Sequence, residues 1–426
     1  MDRAYFRPLV MPLAVAALVA GRSAADDDAL REKALKLNQV TGTTAMGKQL
    51  SDLIKDEAGT KKLLAVAAKM VKDVPPSESS PLNYNACLIL AKAAQVQKDS
   101  ETALTFYRAC AKEASKIGSA NKIFEVFDGM VNLYLATKKY DEAIAASQEF
   151  LSIEVEDLEN PINRAKPLFM EKLIYATAKK GKLDEALKMT EKIIEEDKGG
   201  WYFIRLKAEL LRDADKYSDS ADTYLEAIER LKKSKKLDED EQKVYLKEMR
   251  YILSGVYVEM KQIDKASEQL EVLMKDDPEN PTFLNDLGFI WADHDMKIDE
   301  AEKMIRKAID LDREQRKKME DLRKEDDVDN SAYLDSLGWV LFKKKEYKEA
   351  KKWLVEATKL KGGKHIEIYD HLAEVHMVLG EKDEALKVWK EALEFKDLSK
   401  REQERRKSIE KKVAEAEKKP TEPEKK

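Results

Sequence analysis

Glycine and proline are scarce in this sequence of 426 residues, which contains 15 and 11 of them. Together they reach about half of the roughly 12% that is usual in proteins. Turn-rich β sandwiches and barrels, collagen-like chains and low-complexity chains all need more of both residues, so their scarcity excludes these classes. Neither charge sign dominates, because 78 Lys and Arg stand against 83 Asp and Glu, for a net charge of −5. We therefore expect no nucleic-acid partner, since such domains carry a clear basic excess.

Cysteine and histidine are also rare, with two and four copies. Cys87 and Cys110 have no CxxC partner or nearby histidine, which argues against zinc, and they form either one short-loop disulfide or two buried thiols. His371 and His376 lie five residues apart, about 140° around a helix, unlike the HExxH pair that shares one face. No P-loop, GxGxxG or GxSxG motif occurs. We expect no enzyme activity, no cofactor and no metal.

Long apolar runs are missing except for Leu9–Ala20, whose 12 residues are too few for a bilayer span of about 20. Arg3 and Arg7 precede this run, and the small residues at 23–25 follow it, which is the pattern of a secretory signal peptide. We predict export to the periplasm or outside the cell, with cleavage after Ala25. The alternative is an uncleaved amphipathic or disordered leader. No cysteine follows the run, so we expect no lipid anchor.

Charged residues make up 38% of the chain and apolar residues 43%, a balance typical of long helices. One pattern recurs eight times: a glycine or small residue in a turn, an acidic pair, alanine, then an apolar helix face. GKLDEALKMTEKI (181–193) and EKDEALKVWKEAL (381–393) are two copies. A base unit of about 34 residues with loop insertions accounts for every interval, and such units bury their apolar faces only by stacking. The equivalent small residues are Ala103, Ala143, Ala186, Ser220, Ala266, Ala301, Ala350 and Ala385.

A second helical segment precedes each copy, as in FLNDLGFIWAD (283–293) and YLDSLGWVLFK (333–343), with apolar residues at i, i+3, i+4 and i+7. Gly288 and Gly338 lie midway through these segments, where a small residue lets two helices approach closely. These residues and spacings resemble the tetratricopeptide repeat family. The resemblance implies an all-α fold, a right-handed α-solenoid of about eight helix-turn-helix repeats.

The regions outside the repeats differ from them in composition. From residue 400 onward, 11 basic residues face 7 acidic ones. The charged insertions at 232–243 and 313–330 contain no helix breakers, so we expect both to extend helices. The predicted organisation is a signal peptide (1–25), an N-terminal helical cap and linker (26–80), the solenoid (81–395), and a charged capping helix with a disordered tail (396–426).

The concave groove is the expected binding site, because the resemblance implies that the second, fifth, ninth and twelfth positions of each first helix line it. Such a lining of aromatic and acidic side chains suits a basic or aromatic peptide. The alternative is that Trp339 and Phe289 pack between adjacent repeats. The candidate groove residues are Tyr251, Asn285, Phe289, Asp335, Trp339, Phe342, Asp370 and Glu374.

The resulting hypothesis is an exported, non-catalytic scaffold that binds a protein or peptide partner. The C-terminal third resembles exported bacterial envelope proteins with this repeat, some of which hold and activate a carboxy-terminal-processing protease. One alternative is therefore an adaptor for a periplasmic protease. Another is a structural protein that self-associates by end-to-end stacking. Leu88 and Asp128 occupy the positions where clamps for a partner's C-terminal carboxylate need a basic residue, so we expect no such clamp.

Overall fold

Helices are the only regular structure in the described part of the computed structural model. The predicted signal peptide lies outside that part, except for Ala24 and Ala25, which begin the first helix. None of the described helices combines the length and the apolarity that a membrane crossing requires. The described residues are 24–74, 79–196, 200–320, 322–323, 326–396 and 398–418.

The chain divides into two compact units between residues 197 and 198. In the first unit, three helices and a short 3-10 helix, Leu37–Gln39, precede three helical hairpins. We call the members of each hairpin its first helix and its second helix. The helices are α1 (Ala24–Lys36), α2 (Thr43–Lys55), α3 (Glu57–Lys72), α4 (Tyr84–Val96), α5 (Ser100–Ile117), α6 (Ala120–Ala136), α7 (Tyr140–Leu151), α8 (Pro161–Lys179) and α9 (Leu183–Glu196).

The second unit contains five hairpins and a terminal helix that has no partner after it in the described residues. The helices are α10 (Tyr202–Asp213), α11 (Tyr217–Lys232), α12 (Glu239–Glu259), α13 (Ile263–Asp276), α14 (Pro281–Asp293), α15 (Ile298–Lys317), α16 (Ser331–Lys343), α17 (Tyr347–Lys359), α18 (Ile366–Val378), α19 (Lys382–Leu393) and α20 (Lys400–Glu417).

The small residue of each repeat lies at the tightest point of its hairpin. All eight predicted positions, from Ala103 to Ala385, are 0% exposed. A Cβ on Gly288 would lie 2.9 Å from the backbone oxygen of Ala301, and a Cβ on Gly338 would lie 2.5 Å from a side-chain atom of Leu354. The predicted close approach of the two helices, and with it the helical-repeat fold, is confirmed.

The turns inside the hairpins differ from the expected glycine or small residue. A left-handed residue occurs in each of the eight, but it is glycine only at Gly181 and Gly380. In each turn the following amide donates to a carbonyl five residues back, as Asp99 N does to Ala94 O at 2.9 Å. This is the Schellman closure of a helix C-terminus. The other six turns use Lys98, Lys138, Asp215, Lys261, Asp295 and Lys345, at φ between 56° and 65°.

The prediction of continuous helix through the charged insertions is wrong in part. A break at 233–238 separates α11 from α12, because Asp238 caps α12 and exchanges hydrogen bonds with Glu241. Helix α15 continues only to Lys317. Beyond it the chain folds back, since Arg313 contacts Asp329 at 2.6 Å.

Each first helix in the C-terminal part of the second unit packs against the two helices before it. Helix α16 contacts α15 and α14, and α18 contacts α17 and α16. Helix α20 repeats this arrangement by contacting α19 and α18. It therefore takes the place of a further first helix, as a capping helix does at the end of a repeat stack.

Candidate partner-binding surface

The eight candidate groove residues lie on four first helices of the second unit: α12, α14, α16 and α18. Four of them are buried, at 2–7% exposure: Asn285, Asp335, Trp339 and Asp370. Phe289, Phe342 and Glu374 are half-buried, and Tyr251 is 39% exposed. The structure therefore places half of the predicted lining inside the unit.

Trp339 lies in an aromatic stack between α14, α16 and α18. Its ring is parallel to that of Phe342, with centroids 4.9 Å apart, and to the imidazole of His371 on its other side, at 4.0 Å. The indole Nε1 donates to Asp293 Oδ1 at 2.9 Å. Phe289 is 6.2 Å from His371 and joins the edge of the same cluster. These contacts match the alternative in which the aromatic residues pack between repeats.

His371 was not among the candidates, although it holds the stack together. Its Nδ1 lies 2.9 Å from Asp335 Oδ1, and the imidazole is 1% exposed. Burial lowers the pKa of His371, but the charge and hydrogen bond of Asp335 raise it, so the pKa lies above its ordinary value. Asp335 is therefore paired with α18. The 36-residue separation of the two side chains carries no sequence signal.

Asp370 is the most enclosed carboxylate of the candidate set, at 2% exposure. Trp389 Nε1 donates to its Oδ1 at 2.9 Å. Lys412 Nζ lies 2.8 and 2.9 Å from its two oxygens, and Arg405 Nη1 lies 3.1 Å from Oδ2. Both cations belong to α20. Asp370 is thus neutralised from within the chain, and any role toward a partner stays a prediction.

The neighbours of Asp370 extend this ionic contact along α18. Glu367, Asp370 and Glu374 lie at i, i+3 and i+7, so they share one helix face, which we call the acidic strip. Arg405 also pairs with Glu367, and Lys412 also pairs with Glu374. Burial lowers the pKa of Arg405, but the Glu367 and Asp370 carboxylates raise it by more, so this pKa lies above its ordinary value. A basic face of α20 therefore covers the acidic strip.

The N-terminal end of α20 also contacts residues that are distant from α18 in the sequence. Lys400 pairs with Asp215 in the turn after α10, and this pairing lowers the pKa of Asp215. Arg401 lies 4.0 Å from Glu259 at the end of α12. Helix α20 therefore contacts carboxylates of the first two hairpins of this unit as well as those of the last one.

Tyr251, the most exposed of the eight candidate residues, lies on an exposed face of α12. Val244 is 63% exposed and Gly255 has open space where a Cβ would stand. The Tyr251 hydroxyl donates to Asp286 Oδ2 at 2.7 Å, and burial raises the pKa of Asp286. Beside it, Asn285 Oδ1 is buried without a hydrogen-bond partner. We call Val244, Glu248, Tyr251 and Gly255 the α12 face.

Polar contacts also join the first helices of the first unit. Lys172 on α8 donates to Asp128 Oδ1 at 2.5 Å and to Asn132 Oδ1 at 2.6 Å, both on α6. Lys92 on α4 contacts Glu125 on α6 at 2.9 Å. No group of three or more potential ligands for a metal ion occurs among the described residues of either unit.

Known proteins add one decisive comparison. Residues 332–363, which span α16 and α17, match the family model described as tetratricopeptide repeat. The chain contains a tetratricopeptide repeat. The hairpin α16–α17 shares its buried small residue and its left-handed turn with the other seven hairpins, which confirms the tetratricopeptide resemblance. No curated protein matches the chain.

Solved structures similar to the chain include other tetratricopeptide proteins. One, from Parabacteroides merdae, is 12% identical, with 67% of this chain and 98% of that chain covered and a TM-score of 0.45. The Cut9–Hcn1 assembly of the APC/C is 16% identical, at 85% and 74% coverage and a TM-score of 0.40. MamA from Desulfovibrio magneticus is 18% identical, at 45% and 94% coverage and a TM-score of 0.33. With TM-scores below 0.5, these likenesses carry no argument about function.

Proposed function

We propose that this protein is an exported, non-catalytic scaffold that binds protein partners on the first-helix surface of its tetratricopeptide repeats. The observation that supports it most is the α12 face, where an exposed valine and tyrosine lie beside open space at Gly255. Aromatic side chains with a polar tip supply much of the binding energy of protein interfaces. The carboxylate of Asp286 beside Tyr251 adds a hydrogen-bond acceptor.

The test is capture of partners by the full chain from its own envelope fraction at moderate salt, with mass spectrometry. A variant carrying Val244→Arg and Glu248→Arg changes the α12 face, whereas Glu268→Arg on the exposed side of α13 is the control for a charge reversal away from that face. We expect a protein that binds the wild-type chain and the control at least tenfold better than the double variant. Equal capture by all three chains contradicts the α12 face as the binding surface.

Export is supported by the basic start, the 12-residue apolar run and the small residues before Asp26. The test is the intact mass and N-terminal sequence of the protein from the envelope fraction. We expect a mature chain that begins at Asp26, inside the first turn of α1. A chain that retains Met1 in the cytosolic fraction contradicts export.

A protease adaptor is a narrower form of the same proposal, supported by the resemblance of the C-terminal third to envelope proteins. An adaptor should capture a carboxy-terminal-processing protease and raise its turnover of a model substrate. Capture without any change in turnover contradicts the adaptor and leaves a scaffold. Mass that rises with concentration in the purified chain, with no partner captured, favours the self-assembling alternative.

A further inference from the structure

Ion pairs form a large part of the contact between α20 and the rest of the second unit. Helix α20 buries only Ile409 and Val413, whereas α16 buries ten of its residues and α18 buries eight. The apolar support for α20 comes from a small cluster around Ile366 and Trp389. Few buried side chains are typical of elements that open locally while the rest of a protein stays folded.

The ionic part of the contact has a defined geometry. Arg405 and Lys412 lie seven residues apart on α20, and each bridges two carboxylates of the acidic strip, with Asp370 shared between them. Lys400 and Arg401 add contacts to Asp215 and Glu259. The surface thus recognises a helix with cations at i and i+7.

The chain between α19 and α20 is short, running from Leu393 to Lys400. A short tether gives α20 an effective concentration on the order of millimolar at the acidic strip. A free helix of the same chemistry therefore competes with α20 for the acidic strip. The apparent affinity of such a free helix for the wild-type chain equals its intrinsic affinity multiplied by the fraction of time that the strip is uncovered.

We propose that the acidic strip is a docking surface for a basic amphipathic helix of a partner protein, and that α20 is a tethered occupant which the partner displaces. This inference rests on the proposed function, since it names the chemistry of one partner. The charge pattern of α20 is the model for that partner: two cations two turns apart, with one apolar side chain between them. Ile409 lies between Arg405 and Lys412 in this way.

The test uses the full chain and a fluorescent synthetic peptide of residues 398–418 as the probe. Arg405→Glu together with Lys412→Glu in the full chain places like charges against the acidic strip and uncovers it. The matched control, Lys407→Glu with Lys411→Glu, makes the same change of charge at exposed positions of α20 that face away from the strip.

We expect the peptide to bind the Arg405→Glu, Lys412→Glu chain at least tenfold more tightly than the wild-type chain or the control. This binding should weaken as salt rises, because ionic contacts are screened. A peptide that itself carries both reversals should not bind. Equal affinity for all three chains, or no binding to any, overturns the proposal.

If the Arg405→Glu, Lys412→Glu chain does not fold, hydrogen exchange of the wild-type chain still tests whether the peptide displaces α20. In the wild-type chain, an excess of peptide should speed exchange in the amides of α20 at least tenfold and leave α16 unchanged. No change in α20 overturns displacement. A dimer in which α20 is exchanged between copies also overturns it, because the occupant is then a second copy. The proposed scaffold fails separately, if the wild-type chain, the α12-face variant and its control capture proteins equally.

Discussion

The two units neutralise a carboxylate on a first helix in the same way, with a lysine from a later helix, but the two lysines hold different places in the stack. Lys172 lies within α8, is 8% exposed and contacts Asp128 and Asn132 on α6. Lys412 lies on the terminal helix α20, and its side chain is 28% exposed where it contacts Asp370.

The same kind of lysine–aspartate pair lies inside the stack in the first unit and at its last described helix in the second unit. Helix α8 is followed by α9, so Lys172 is locked between hairpins. Helix α20 has no hairpin after it among the described residues. The lysine of the first unit therefore belongs to the core, whereas that of the second unit lies in the contact that we propose a partner displaces.

The largest expected effect is the loss of the aromatic stack in the second unit. Trp339→Ala removes a buried side chain and should lower the free energy of unfolding of that unit by about 3–5 kcal/mol. All five tryptophans lie beyond residue 200, so their fluorescence reports the second unit in a denaturant titration.

The control for the aromatic stack is Phe150→Ala in the first unit, where Phe150 is 0% exposed and stacked on Phe169. Phe150→Ala should lower the denaturant concentration at the midpoint of unfolding measured by circular dichroism. It should leave the midpoint measured by tryptophan fluorescence, which reports the second unit, unchanged. A loss below about 1 kcal/mol for Trp339→Ala would instead favour a groove that binds through this tryptophan.

The two lysines should respond differently to truncation of their charge. Lys172→Met removes a nearly buried charge from Asp128 and Asn132, which keep the 3.1 Å hydrogen bond between them, and should cost about 1–3 kcal/mol of the free energy of unfolding of the first unit. Lys412→Met should cost less than about 1 kcal/mol, because the Lys412 side chain is more exposed than that of Lys172 and Asp370 keeps Arg405 and Trp389. Denaturant titrations at low and high salt measure both. Equal costs would contradict the difference between the units.

The stability of the second unit should fall as pH rises, whereas that of the first unit should show no histidine effect. All four histidines lie in the second unit. The pKa of His371 is raised in the folded state, so its contribution is complete below about 6.5, the unfolded value, and is lost as pH rises through the folded pKa. Fluorescence-monitored unfolding between pH 6 and 9 measures it. His371→Gln should remove this slope, and an unchanged slope would contradict the pairing with Asp335.

The smallest expected effect is one that the two units share. Lys138 and Lys345 occupy left-handed turn positions at φ 58° and 65°. Glycine there avoids the steric penalty of a Cβ, so Lys138→Gly and Lys345→Gly should each raise the free energy of unfolding by about 0.5–1 kcal/mol. Thermal unfolding of each variant measures the gain. A gain in one unit alone would show that the turns are not equivalent.

The repeats could be predicted from the sequence because each depends on local periodicity. The spacing of Ala103, Ala143 and their equivalents identifies the tight points of the hairpins, and all are buried. The left-handed conformation of Lys98 could not be predicted, since lysine gives no signal of a positive φ in a sequence.

The candidate site was harder to predict, because its contacts join residues that are distant in the chain. The pairs Asp335–His371 and Asp370–Lys412 depend on the register of separate helices. Position on a first helix predicted that Asp370 faces the groove side. It could not show that α20 covers this side chain, because α20 was expected only as a polar cap.

We predict that charge, more than apolar contact, holds α20 on the folded second unit. Hydrogen exchange of the wild-type chain at low salt and in 1 M NaCl tests this most directly, since at that salt charges are screened beyond about 3 Å. We predict that salt speeds exchange in α20 and leaves α18 and α8 protected. Equal protection of α20 at both salt concentrations would contradict the claim and make α20 a fixed part of the core.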